Sequence, residues 1–203
     1  MRETFLEIRF IILIVMLCAG ARLVEAQDRI KERAEWEAKA VARMSDHDKR
    51  QYERLKKPSF AQLELLPRLP ELSESPEAPN APYRVGAHIF FRLLITNTTS
   101  EKVSFSDADL FYYDRPLLLR DGELIPYRDD VVELLKSRED YPNEHSVRGP
   151  TVPPHKTHTE IIEMKRWYGP LQPGRYLLTV KRRFIWGGEW LESPSITFEV
   201  VPE

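Results

Sequence analysis

The sequence contains two histidines whose type and spacing could bind a metal ion. His155 and His158 stand three residues apart beside Pro153-Pro154. On a helix this spacing would place both imidazoles on one face. The prolines predict a loop or strand instead, where residues i and i+3 face different ways, and no carboxylate or cysteine completes a ligand set. We therefore expect no metal site and no cofactor.

Three aspartates, Asp107, Asp109 and Asp114, precede a run of apolar residues. A calcium-binding loop would require a glycine turn and a distal glutamate in a defined frame, and this stretch has neither. We interpret the three aspartates as ordinary loop acids.

The sequence has no pattern typical of nucleophilic catalysis. Its one cysteine, Cys18, lies in the apolar N-terminal segment, and no serine stands in a Gly-x-Ser-x-Gly turn. His47, His88 and His145 are isolated in sequence, and phosphate-binding glycine loops are absent. We expect the protein not to be an enzyme. A hydrolase or carbohydrate-active enzyme is the least favoured alternative, because it would need two acidic residues facing each other across a cleft.

Two segments mix cations with aromatic residues: Lys165-Arg166-Trp167-Tyr168 and Lys181-Arg182-Arg183-Phe184-Ile185-Trp186. They could stack a sugar ring or bind an anionic polymer. The favoured interpretation is that the aromatic rings pack at strand ends while the cations are solvated. The formal net charge of the chain is -2, so no global field attracts nucleic acid, and we expect no nucleic-acid partner.

The elements that would position these residues are predicted to be strands, best seen at Leu171 to Val180. Pro173-Gly174 is typical of a type II turn, because proline fixes φ and glycine accepts a positive φ. Tyr176, Leu178 and Val180 then point to one face, as period two requires of a half-buried strand. A tyrosine two residues after such a turn indicates a tyrosine corner. Tyr176, Pro173 and Gly174 are therefore assigned structural roles.

A second predicted strand carries a resemblance to a known protein family. The strand around Ile89 to Ile95 follows Gly86 and ends in Thr96-Asn97. Together with the later Leu-x-Pro-Gly-x-Tyr turn, it resembles the immunoglobulin-like β-sandwich domain of exported bacterial proteins of unknown function. The bacterial proteinase-inhibitor family of similar fold is a weaker match. The resemblance implies an all-β, immunoglobulin-like Greek-key β-sandwich and specifies no activity.

Four segments divide the chain. Residues 1–26 are predicted to be a signal peptide, because a short apolar run precedes a small-x-small site at Ala26; an uncleaved anchor is the alternative. Residues 27–57 are predicted to be a helical arm and residues 58–82 a Pro-rich linker that could hold a first strand. Residues 83–203 form the predicted sandwich, with one short inserted helix at 129–137. Within the sandwich, residues 110–113 and 157–167 are predicted to be strands.

We expect a non-catalytic extracytoplasmic binding or envelope-associated module with an unknown protein or glycan partner. The protein is expected to be exported, with membrane association only through an uncleaved N-terminal segment. The binding hypothesis places the contact surface on Trp186 and Trp190, helped by Arg183, around a predicted Gly187-Gly188 hairpin. In the competing account both indoles cover the core. The alternative function is a proteinase inhibitor that presents residues 141–154 as an exposed loop.

Overall fold

The computed structural model describes residues 31–67, 81–140 and 149–202 apart from residues 33, 108 and 186, with only the backbone of 138–140. The chain divides into two compact units, Met1–Lys49 and Arg50–Glu203. The predicted signal peptide therefore lies outside the described residues. Among those residues, no helix combines the length and apolar character needed to cross a bilayer.

Two helices cover the predicted arm. Residues 31–42, residue 33 aside, form α1, and α2 follows at Asp46–Lys56. Asp48 N–H donates to Ser45 Oγ at 3.2 Å, which satisfies one of the free amide groups at the start of α2. The side chain of Ser45 thus caps the start of the helix.

The described residues of the unit Arg50–Glu203 form three sheets. The first has the order β1-β3-β8, with β1 at Ala61–Pro67, β3 at Phe90–Asn97 and β8 at Thr157–Glu163. The second has the order β2-β11-β9-β5-β6, with strands Tyr83–Arg84, Ile196–Val201, Gly174–Arg182, Asp114–Arg120 and Glu123–Leu124. In this sheet β10 (Leu191–Glu192) also pairs with β9. A small third sheet joins β4 (Val103–Ser104) to β7 (Thr151–Val152).

The two larger sheets pack face to face as a sandwich. Every second residue of β3 is buried, and Phe91, Leu93 and Ile95 are at most 1% exposed. The ring of Phe91 on β3 lies 5.1 Å from that of Phe198 on β11, so aromatic side chains of both sheets meet in the core. The chain passes repeatedly from one sheet to the other, as in Greek-key connections. This is the all-β, immunoglobulin-like sandwich that the strand pattern predicts.

The turn before β9 carries the contact that defines a tyrosine corner. Tyr176 Oη donates to the carbonyl oxygen of Gln172 at 2.7 Å, and the ring stacks on Phe198 at 5.1 Å. Gly174, however, has a φ of 158° and is already the first residue of β9. That angle is far from the roughly +80° of a type II turn, so the predicted turn type is wrong.

Three helices interrupt the strands. The inserted helix, α4 (Asp129–Asp140), lies where the sequence predicts it. Two further short helices, α3 (Leu110–Tyr113) and α5 (Met164–Trp167), replace segments that the sequence assigned to strands. In α3 the amide of Tyr113 donates to Asp109 O at 3.0 Å. A run of four apolar residues fits a strand or one helical turn equally well, so its pattern does not decide between them.

Two hairpins lie in the second sheet. Between β5 and β6, Asp121 and Gly122 both have positive φ, 53° and 89°, as the tight Asp-Gly turn requires. The predicted hairpin at Gly187-Gly188 has a longer loop, because the last pair of β9 and β10 is Arg182 with Leu191. Residues 183–190 therefore form the connection, not a two-residue turn.

Candidate functional site

The surface predicted to bind a partner is a stack of cations and aromatic rings. The Arg183 guanidinium lies 3.6 Å from the centroid of the Tyr112 ring and 4.6 Å from that of Trp190. Arg115 approaches the same indole at 5.3 Å. Trp190 remains 37% exposed. The structure thus brings Trp190 and Arg183 together, whereas Trp186 lies outside the described residues.

Arg183 also has a local structural role. Its Nε donates to the carbonyl oxygen of Tyr112 at 3.0 Å, which ties the start of the β9–β10 connection to α3. Its guanidinium contacts both the Tyr112 and the Trp190 rings, and the residue is half-buried. The expectation that the cations of this segment are solvated is wrong for the neighbouring Arg182, which is fully buried.

A concave site lies away from this surface, between the β2–β3 connection and the α5–β9 connection. It is a groove of about 620 Å³, within the usual range for a small-molecule pocket. Its apolar lining is contributed by Ala87, Ile89, Met164, Tyr168, Pro170, Leu171 and Val200. We call this site the basic groove because of its rim.

Four cations surround the basic groove: Arg84, Arg128, Lys165 and Arg166. Arg84 is exposed and forms no ion pair within the described part of the chain. The lining contains one carboxylate, Glu163, and Asp130 pairs with Arg128 just outside it. Cations therefore exceed carboxylates by two around an apolar floor.

Glu163 holds two of these cations in place. Its carboxylate lies 3.1 Å from Lys165 Nζ and 2.7 Å from Arg166 Nε. Partial burial alone would raise the pKa of Glu163, but hydrogen bonds from Lys165 and Arg166 hold it below its usual value. Lys165 Nζ also lies 3.0 Å from His88 Nδ1. The rim is thus ordered by its own polar contacts.

The core contains a second unusual feature, a buried ion cluster around Arg182. The side chain of Arg182 is 0% exposed. Its Nη1 donates to Asp114 Oδ1 at 2.8 Å and to Glu160 Oε2, and its Nη2 donates to Ser106 O at 3.2 Å. Asp114 is its neighbour in the second sheet, whereas Glu160 belongs to β8 of the first. The guanidinium therefore links the two sheets through the core.

Burial dominates the electrostatics of this cluster. It raises the pKa of Asp114, and it raises the pKa of Glu160 to about 8. Arg182 opposes both shifts, whereas Asp107 and Asp114 reinforce the shift at Glu160 by repulsion. Burial and mutual repulsion thus favour the protonated form of both carboxyl groups, against the attraction of Arg182.

The histidine pair noted in the sequence is separated in the structure. His155 is exposed in the β7–β8 connection with a φ of 55°, whereas His158 lies on β8 beside Glu160. Asp107 lies near His158, while Asp114 contacts Arg182. Asp107 and Asp114 thus lie in different environments. Residues 141–148, most of the candidate inhibitor loop, lie outside the described residues.

The sequence analysis did not predict that Arg182 and Glu160 are buried, although strand periodicity places both on the inward face of their strands. Tyr176, Leu178 and Val180 share a face, and one more step of two reaches Arg182. On β8 the same step leads from Ile162 back to Glu160. The basic groove had no such signal, because its lining comes from segments far apart in sequence.

Comparison with known proteins gives little further information. No protein-family model matches the chain, and no curated protein matches it. A crystal structure of the CARDB domain of the PF1109 protein from Pyrococcus furiosus, in complex with di-metal ions, is similar at 12% identity with a TM-score of 0.33. It covers 71% of this chain and 96% of that one. The solution NMR structure of the same domain gives 11% identity, a TM-score of 0.31 and coverages of 70% and 96%. Likeness at these scores carries no argument, so the fold assignment rests on the strand pairing described above.

Proposed function

We propose that the protein is a non-catalytic binding module that takes an organic anion with an apolar body into the basic groove. The observation that carries this proposal is the groove itself, with its apolar floor of about 620 Å³ and its excess of cations at the rim. An apolar ligand body would be removed from water at the floor, at about 25 cal/mol per Å² of buried apolar surface. The rim would select its charge.

The chemistry of the lining supports binding over catalysis. Its residues include no serine, threonine or cysteine that could act as a nucleophile. Glu163 is held ionised by two cations, so it is a poor proton donor near neutral pH. The groups around the groove are suited to hold an anion in place.

Export is the second part of the proposal and rests on the sequence. The apolar run Phe10 to Ala21 and the small-residue site at Ala26 are typical of a cleaved signal peptide. Mass spectrometry of the native protein is expected to find a chain that begins at Gln27. Recovery of an intact Met1 chain from the membrane fraction would contradict cleavage.

The experiment for the groove is calorimetric titration of the purified protein with three probes. Dodecanoate carries a carboxylate on an apolar chain, dodecyltrimethylammonium reverses the charge, and inorganic phosphate lacks the apolar body. We expect dodecanoate to bind more tightly than either of the others. Equal affinity for the two amphiphiles would contradict the role of the rim.

Paired variants test where the probe binds. Arg84→Gln with Lys165→Gln removes two rim cations, and Lys102→Gln with Lys156→Gln removes two exposed cations that do not line the groove. An exposed ion pair contributes up to about 1 kcal/mol, so the rim variant should bind dodecanoate roughly fivefold to thirtyfold more weakly. The remote variant should bind like the wild type. Equal losses in both would show that only net charge matters.

We also propose that Trp190, Arg183 and Trp186 form a second surface that contacts a partner. A half-exposed indole held between Arg183 and Arg115 is a rigid aromatic group of the kind enriched at binding hot spots. Combined Trp186→Ala and Trp190→Ala substitution should abolish partner capture without lowering the melting temperature. Loss of several degrees would assign both indoles to the core.

A further inference from the structure

Three side chains next to the buried ion cluster converge on one point. Asp107, His158 and Glu160 each offer a ligand atom, and these atoms all lie within 4.8 Å of one another. His158 and Glu160 stand two residues apart on β8 and therefore share a face of the strand. Asp107 comes from the connection that follows β4. The group is thus built from two segments about fifty residues apart in sequence.

The two carboxylate oxygens of Glu160 have different surroundings. The residue is 7% exposed, and its Oε2 accepts a hydrogen bond from Arg182. Its Oε1 is buried and has no hydrogen-bond partner within the described part of the chain. That oxygen lies 3.6 Å from His158 Nε2. A buried acceptor without a donor is unfavourable, so a cation between this oxygen and the imidazole would stabilise it.

We propose that Asp107, His158 and Glu160 bind a divalent first-row transition-metal cation such as Zn²⁺. One imidazole and two carboxylates are ligands that such ions accept, and an imidazole is a poor ligand for Mg²⁺ or Ca²⁺. The three atoms could close around one ion with small side-chain movements, because Zn²⁺ bonds to nitrogen and oxygen are about 2.0–2.2 Å long. The bound ion would join β8 to the connection after β4.

The charge of the whole cluster supports this assignment. Asp107, Asp114 and Glu160 bring three carboxyl groups close together. Arg182 donates to Asp114 and Glu160, and Arg115 adds a weaker attraction at Asp114. A divalent cation beside Asp107 and Glu160 would offset the repulsion between these carboxylates.

The orientation of His158 suits a ligand. Its ring packs against Phe105 in a T-shaped arrangement, with the ring centroids 5.8 Å apart. This contact helps to hold the imidazole, whose Nε2 lies 3.6 Å from Glu160 Oε1. Imidazole nitrogen is the commonest metal ligand in proteins.

Two further features suit a metal centre. Arg182 holds Glu160 through its other oxygen, as outer hydrogen bonds commonly do for ligating carboxylates. A pocket of about 390 Å³ reaches all three side chains, so an ion could enter and water could complete its coordination. This pocket shares only Glu163 and Arg166 with the basic groove. The metal inference therefore does not depend on the proposed ligand of the groove.

The test is calorimetric titration of the untagged, chelator-treated protein with ZnCl₂, and separately with MgCl₂ and CaCl₂. We expect one Zn²⁺ per chain and no measurable binding of the other two ions. His158→Ala and Asp107→Asn should each weaken Zn²⁺ binding at least about tenfold, as loss of a ligand implies. His155→Ala is the matched control, because it removes an exposed imidazole three residues away, and it should bind like the wild type.

Each outcome of this test is decisive. Absence of Zn²⁺ binding by the wild type overturns the proposal, and so does an equal loss in His155→Ala and His158→Ala. Circular dichroism of each variant separates loss of a ligand from loss of fold. If His158→Ala fails to fold, the Asp107→Asn variant tests the proposal, because Asp107 is only half-buried. A shift of the His158 side-chain nitrogen signals on adding Zn²⁺, with His155 unchanged, is the expected NMR signature.

Discussion

At the scale of single residues, the most consequential side chain is Arg182. Its guanidinium is buried in the core and donates to Asp114 and Glu160 from opposite sheets. Burial of a charge is costly unless it is paired, and these two carboxyl groups supply the pairing for Arg182. The burial of Arg182 follows from the period of two along β9, because every second side chain from Tyr176 to Arg182 points into the core.

Replacement of Arg182 by methionine should lower the free energy of unfolding by about 3–5 kcal/mol, because two buried carboxylates lose their donor. Urea denaturation in chelator-containing buffer measures the change without contribution from a metal ion. Arg175→Met, on the exposed face of the same strand, is the control and should change stability by no more than about 0.5 kcal/mol. Identical midpoints for the two variants would contradict the buried ion cluster.

Tyr176 tests the turn before β9 in the same way. Tyr176→Phe should destabilise the protein by about 1 kcal/mol, because the hydrogen bond to Gln172 O is lost while the stacked ring remains. Tyr113→Phe, in which the hydroxyl forms no hydrogen bond within the described residues, is the matched control. An unchanged denaturation midpoint for Tyr176→Phe would show that the corner bond contributes nothing to stability.

The two residues also show how far the sequence predicts side-chain roles. Tyr176 follows a local Pro-Gly-x-Tyr pattern, so its position could be predicted from neighbours in sequence. Arg182 lies at the end of an apolar alternation, where a cation suggests a solvated strand end. Its burial depends on Asp114 and Glu160, which are 68 and 22 residues away. Such pairing has no local signal.

At the scale of elements, Asn97 connects the end of β3 to the small β4–β7 sheet. The residue is 2% exposed, and its Nδ2 donates to the carbonyl oxygens of Glu101 at 2.7 Å, Val152 at 3.0 Å and Pro153 at 3.2 Å. Its Oδ1 accepts from the amide of Thr99 at 3.0 Å. Asn97 begins an Asn-x-Thr sequence of the N-glycosylation type, and the folded protein buries the side chain that would carry the sugar.

Loss of this side chain should loosen the β4–β7 sheet. We expect Asn97→Ala to lower the free energy of unfolding by about 2–3 kcal/mol, because buried backbone acceptors lose their donor. Asn97→Asp should cost at least as much, since a carboxylate cannot donate to carbonyl oxygens. Thr96→Ala, which removes one exposed hydroxyl contact, is the control. Urea denaturation that gives equal stability for all three variants would contradict the role of Asn97.

Element prediction succeeded where the pattern was long and failed where it was short. The eight residues of β3 and the nine of β9 alternate over enough positions to exclude a helix. The four residues of α3 and the four of α5 do not. In α5 the amide of Tyr168 donates to Met164 O at 2.9 Å, a contact that ends β8 early and turns Lys165 and Arg166 toward the basic groove.

At the scale of the whole molecule, the sandwich could be predicted and its grooves could not. Regularly spaced strands with turn signals between them are enough to indicate two packed sheets. The basic groove depends on how the β2–β3 connection lies relative to the α5–β9 connection. Arg84 and Lys165 are 81 residues apart in the chain, so only the fold brings their charges to one rim.

The proposed role of the basic groove is to hold an organic anion by its apolar body. The most direct measurement is the set of intermolecular nuclear Overhauser effects between dodecanoate and the protein. We expect contacts from the dodecanoate methylene groups to the methyl groups of Ala87 and Leu171, which line the groove. Contacts to the indole of Trp190 instead, or none at saturating dodecanoate, would contradict it.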